Sequence, residues 1–341
     1  MRGFLTIITF LVLISNQLFG QDIQKYQYFI NKAELEITEL NFGKALAFYD
    51  SAFFSIKFPF SVDIYNKSIC SIKQGEYAES FLSIKQLIKL GVDSSLFNKR
   101  PFNLLKLQKG MFANFMKDYP DLVNEYKATK KQSVIKELND MVEADLFLYC
   151  AKSAKPQIFG YIEFIKINKN YLDYKLIDLF NENGGYLDES NIGVPFKDSK
   201  MATVPIFFPL IARSFNNNDT TLTFNIYIAL KNGMIKPEVF EIFMEDRIEG
   251  GLGRGNGVIV YKNKIYIPKI YSKEKMYVKN RSNYFLCSLQ DQVRKTLFSE
   301  CKDKDGFLFY TGISRYSSMN ELAEKFLNLQ YFKTSLKLKQ K

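Results

Sequence analysis

Between residues 24 and 90, apolar positions recur with helical 3–4 spacing, and the pattern repeats. Leu40-Asn41-Phe42-Gly43-Lys44-Ala45-Leu46-Ala47-Phe48-Tyr49-Asp50-Ser51-Ala52-Phe53 aligns with Gly75-Glu76-Tyr77-Ala78-Glu79-Ser80-Phe81-Leu82-Ser83-Ile84-Lys85-Gln86-Leu87-Ile88 at an offset of 35 residues. Each block places an aromatic (Phe42, Tyr77) three positions before a small residue (Ala45, Ser80). A second small or apolar side chain (Ala52, Leu87) follows seven positions later. Small side chains let paired helices approach, and the aromatic fills the gap at the turn between them. Each block therefore predicts the second helix of a hairpin, with Tyr28–Glu39 and Ile64–Gly75 as the first helices and Gly91 as a terminating residue.

The pattern changes beyond Gly91. Residues 93–118 predict a closing helix from Leu104, Leu105, Leu107, Met111, Phe112, Phe115 and Met116, and Tyr119-Pro120 suggests a boundary. A long helix is expected over 121–151, where Val134, Ile135, Leu138, Met141, Val142 and Leu146 hold 3–4 spacing. Asp145 falls on that stripe, so its carboxylate needs a partner. The apolar run 204–212 reads as a buried element. Further helices are expected at 171–181, 221–232, 237–249, 281–299 and 320–330. A glycine-rich connector at 250–257 precedes a β-hairpin near 257–268. The expected fold class is mostly α: helical hairpins packed on a second, mainly helical domain with a small β-hairpin. The expected division is 1–20, 21–119, 120–300 and a C-terminal helix with a basic tail over 301–341.

The two blocks resemble tetratricopeptide (TPR) repeats. Ile64-Tyr65-Asn66-Lys67-Ser68-Ile69-Cys70 is similar to the Y-N-x-A-C form of the first repeat helix, with Lys67 where leucine is usual. The resemblance implies a concave face lined by Tyr65, Ile69, Ile72 and Lys73, and by Ile30, Glu34, Ile37 and Thr38. Such a face suits a protein or peptide partner, or it packs on the second domain. The second half resembles a bacterial domain of unknown function that often follows TPR hairpins in exported Bacteroidetes-type proteins. The matching stretches are Asp145, Gly184-Gly185, Ile206–Arg213, Ala229–Gly233, Pro237 and Asp246-Arg247. The D-Q-x-x-R motif of that domain is replaced by Asp145-Leu146-Phe147-Leu148-Tyr149, and its usual histidine near Ala212-Arg213 is missing.

The first residues add a location. Met1-Arg2 is followed by an almost wholly apolar stretch from Phe4 to Ile14, then by Gly20 and Gln21, in the order of a secretory signal. Export to the periplasm or the exterior is expected; an uncleaved anchor is the alternative. No other segment is long enough to span a membrane.

Composition narrows the chemistry. The chain has no histidine, which removes Ser-His-Asp and Cys-His catalysis and the H-E-x-x-H zinc helix. No metal or other cofactor is expected. The formal charge of +11 comes from lysines scattered along the chain, and no nucleic-acid partner is expected. The only basic cluster is the tail Lys333, Lys337, Lys339 and Lys341. Glycines 250–257 match neither dinucleotide nor phosphate-loop spacing, and they lead into strands. The remaining catalytic candidates are Asp145 and Asp246 with Arg247, which form either an ion pair or the acid and base of a glycan-cleaving enzyme. Cys287 and Cys301 are a candidate disulfide, with free buried thiols as the alternative. A binding scaffold, a histidine-free enzyme and a purely structural domain all remain open.

Overall fold

The computed structural model describes residues 22–154, 161–214, 220–245, 247–249, 252, 258–261, 264–268, 274–301, 303, 305–310, 313–315 and 329–331. It is mostly helical. Helices α1 (Ile23–Thr38) and α2 (Phe42–Phe53) form one antiparallel hairpin, and α3 (Ser61–Gln74) and α4 (Tyr77–Ile88) form the next. α2 and α4 both start and stop 35 residues apart. Ala45, Ser80, Ala52 and Leu87 are all fully buried, as close helix approach requires.

The turns repeat as well. Glu76 N donates to Ser71 O at 2.9 Å after α3, and Asn41 N donates to Glu36 O at 2.9 Å after α1. Each closes a left-handed cap. Gly75 supplies it naturally at φ 77°, whereas Leu40 adopts φ 63° at the same register.

The expected closing helix is not continuous. Two 3-10 turns (Ser94–Asn98, Phe102–Leu107) lead into α5 (Lys109–Thr129). Leu105 and Phe115 are buried, whereas Leu104, Leu107, Met111 and Met116 are exposed. α5 runs straight through Tyr119-Pro120, which corrects the expected boundary. Pro120 lies on the exposed face, where water satisfies the carbonyl that loses its donor. The break comes instead at Lys130-Lys131. There Lys130 Nζ donates to Ser190 O at 2.7 Å and Lys131 N donates to Asn191 O at 3.0 Å, drawing the chain off the helical path.

The second half contains α6 (Gln132–Ala154), α7 (Tyr161–Glu182), the short α8 (Glu189–Ile192), a small ladder of β1 (Phe196–Lys197) with β2 (Lys200–Met201), α9 (Phe208–Ser214), α10 (Thr220–Lys231) and α11 (Pro237–Met244). Val134, Leu138, Met141 and Leu148 point inward from α6, while Leu146 is exposed. The expected hairpin is present as β3 (Val258–Tyr261) and β4 (Lys264–Pro268). Two further strands flank it: β5 (Ile313–Arg315) is parallel to β3, and β6 (Leu329–Tyr331) is antiparallel to β4. Leu329 and Gln330 are thus in a strand, not in the expected last helix, whose remaining residues lie outside the described ones. The expected helix over 281–299 is two helices, α12 (Glu274–Asn283) and α13 (Leu289–Cys301).

One hydrophobic core is built on the hairpins and also takes in Phe298, Phe307 and Phe309 from the far end of the chain. A second gathers α6, α7 and α9–α11. Among the described residues, no helix is long and apolar enough to cross a membrane.

Candidate functional site, a helical groove filled by the chain itself

The face expected to meet a partner lies along α1 and α3, and it is covered. Ile30, Glu34, Ile37, Thr38, Tyr65, Ile69 and Ile72 are all buried. α13 packs along α1, and residues 305–310 cross the hairpins. Of the two expected occupants of this face, the structure places the chain itself there, with the C-terminal half over α1 and Phe102 against Tyr65.

The crossing segment begins with a tight turn in which Asp303 Oδ1 accepts from the amides of Asp305 (2.9 Å) and Gly306 (3.0 Å). Gly306 takes φ 78°, a conformation open to glycine at no steric cost. Asp305 pairs with Lys73 at 2.5 Å and with Arg100 at 3.4 Å, so Lys73 is engaged rather than free. The chain then runs extended. Asn66 Nδ2 donates to Leu308 O, and Leu308 N donates to Asn66 Oδ1, both at 2.8 Å. A single amide side chain thereby satisfies both backbone groups of one residue. Phe307 and Phe309 turn inward on either side of Leu308. Phe307 stacks on Phe42, and both rings lie against Phe298. Burial of each ring contributes about 1.5–3 kcal/mol.

Beside this segment is a layer of buried charge. Asp63 accepts from Tyr26 Oη and from Lys236 Nζ, each at 2.6 Å. Glu34 Oε2 accepts from Lys295 Nζ at 2.5 Å, and Lys236 stands 4.0 Å from Glu34 Oε1. Gln27 Nε2 donates to Glu238 Oε1 at 2.5 Å. Three carboxylates (Glu34, Asp63, Glu238) thus share a buried layer with two ammonium groups (Lys236, Lys295). Burial pushes the Asp63 carboxyl up to about 6; Lys236 opposes this and Glu34 adds to it. Burial also works against the Lys236 ammonium, but the surrounding Asp63, Glu238 and Glu34 outweigh it and raise its pKa. Tyr310 lies under Lys236, with its ring centroid 5.4 Å from Nζ.

Glu189 completes the seam. Its carboxylate accepts from Ser61 N at 2.7 Å and Ser61 Oγ at 3.0 Å, which satisfies the first amide of α3. Removal from water raises its pKa to about 7, against the pull of both Ser61 bonds. Next to it is a cavity of about 460 Å³ walled by Phe58, Leu90 and Met234 and rimmed by Lys57, Lys130 and Glu125.

The other candidates fall elsewhere. Asp145 is buried on α6. Arg247 Nη1 donates to Thr223 Oγ1 at 3.3 Å. Asp246 lies outside the described residues, as do the expected secretory signal, the basic tail and all of the glycine connector except Leu252. Buried Leu252 donates its amide to Glu245 and accepts from Arg281.

The expected Cys287–Cys301 bridge is not made, because Cys287 is a buried free thiol. Cys287 lies two residues before α13 and Cys301 ends it, so a rigid helix about 18 Å long stands between them, whereas a disulfide needs Cα atoms within about 7 Å. Burial raises the Cys287 pKa, which leaves an unreactive thiol. Cys70 is likewise buried and free, and Cys150 is free and exposed. Among the described residues, no cluster of Cys, Asp or Glu is placed to hold a metal ion.

Asn66, Asp63, Lys236 and Lys295 are the residues that sequence reasoning missed. A faint signal existed: Asp63 and Asn66 flank Ile64 and Tyr65 on a helix expected to line the groove. No protein-family model, curated protein or solved structure matches this chain.

Proposed function

We propose that this protein is an exported binding scaffold of the cell envelope, holding a protein or peptide partner through TPR-like hairpins. One observation carries the reading: Asn66 pairs with both backbone groups of Leu308 while neighbouring aromatics are buried. Backbone pairing supplies affinity and side-chain pockets supply selectivity, the division of labour found in peptide recognition.

The test is cross-linking in intact cells with the tagged full chain, followed by mass spectrometry. A partner absent from an unrelated exported control is expected, and it should be lost in a folded Asn66→Ala variant. Recovery of the same proteins as the control would sink the reading. Fractionation tests the location, since a full-length cytoplasmic product is incompatible with export.

A second reading, a histidine-free carboxylate enzyme acting on a glycan, is favoured by Glu189. A carboxyl held near neutrality beside a cavity is suited to proton donation. Glycan hydrolysis abolished by Glu189→Gln would support this reading, and inactivity of the wild-type protein across a glycan panel would end it.

A further inference from the structure

We propose that residues 305–310 act as a built-in ligand, and that the partner is an extended segment of the same chemistry that binds by displacing them. That segment carries an acidic residue, then a turn, then two aromatics at alternate positions. The inference rests on the scaffold reading and deepens it.

Three features support it. Asn66 grips the backbone of Leu308, a contact that does not depend on the residue's identity, and the Leu308 side chain is only half-buried. Selectivity falls to the flanking rings, Phe307 against Phe42 and both Phe307 and Phe309 against Phe298, and to Asp305 between Lys73 and Arg100. Among the described residues, no backbone-to-backbone hydrogen bond ties 307–310 to a neighbouring element. Displacement therefore breaks no helix or strand, although it lifts Phe307 and Phe309 out of the hairpin core and Tyr310 off Lys236. Its tether gives it an effective concentration on the order of millimolar, so the groove stays closed until a better match arrives.

The probe is a fluorescent peptide with the sequence of residues 303–310, titrated by anisotropy against the full chain. Wild-type protein should bind it weakly. Asp305→Lys, a change at the entrance of the groove, and the double variant Phe307→Ala/Phe309→Ala should each bind at least about tenfold tighter. Adding Asn66→Ala to Asp305→Lys should abolish the gain, and a peptide with alanine at both Phe positions should not bind.

If Asp305→Lys and the double variant both melt cooperatively and bind no tighter than wild type, the proposal is overturned. Should the double variant not fold, Asp305→Lys decides alone. Dimers that form in either variant without peptide binding would assign the groove to a second copy and also overturn the proposal. Loss of the peptide result with cellular partner capture intact would leave the scaffold reading standing on another surface. Loss of capture with peptide binding intact would sink the scaffold reading alone.

Discussion

Glu189 caps α3 from 128 positions further along the chain, and its position makes stability pH-dependent. Unfolded, it releases its proton near 4.5; folded, it holds the proton to about 7. Between those values the folded state binds more protons, so this contribution is complete below 4.5 and is lost as pH rises through 7. Asp63 acts in the same direction, from 3.8 to about 6. Glu189→Gln should remove the Glu189 part, roughly 3 kcal/mol between pH 4.5 and pH 7.5. Urea midpoints at pH 4.5 and pH 7.5 measure this, and equal declines in both proteins would contradict it. At the same scale, Lys67 accounts for its own departure from the repeat pattern. It reaches Asp50 at 2.9 Å and Glu79 at 2.8 Å from the leucine position and stands over the Phe53 ring. That exchange could not be read from the motif, because its acids come from the two neighbouring helices.

Helices and turns were the most legible level. The spacing of small and aromatic residues is set by the contact between paired helices, so the blocks 40–53 and 75–88 end where α2 and α4 end and begin two residues before them. α10 and the β3–β4 hairpin were likewise written in local pattern. Two failures have different causes: distant groups overrode local preference at one helix end, and an exposed face tolerated a proline at another site. Lys130 reaches Ser190 and Lys131 reaches Asn191, whereas Pro120 stays inside α5 because its side of the helix faces solvent. Two predictions belong here. Leu40→Gly should stabilise the fold by about 0.5–1 kcal/mol, because it relieves a left-handed backbone while giving up little burial at an exposed site. A melting curve that falls instead of rising would contradict this. Gly193 has φ 72°, and a Cβ there would stand 2.5 Å from Leu90 O. Gly193→Ala should therefore cost about 2 kcal/mol or more by chemical denaturation, and near-neutral behaviour would count against this tight joint.

At the scale of the whole molecule, the two halves are joined through charge. Lys236 meets Asp63 across 173 positions and Lys295 meets Glu34 across 261. No local pattern encodes such pairs, which is why the site was not legible although its helices were. Lys236→Met should cost about 3–5 kcal/mol by leaving Asp63 buried without its cation. Adding Asp63→Asn should recover part of that loss, and purely additive losses would show that the two residues are not coupled. The separation has one more consequence. A ribosome makes the first hairpin long before it makes α13, so Glu34 and the side of α1 that α13 covers wait exposed through most of synthesis. Products that stop short of Leu289 never acquire their cover; they carry a bare greasy strip with unmatched acids, the kind of surface that chaperones and proteases recognise as unfinished.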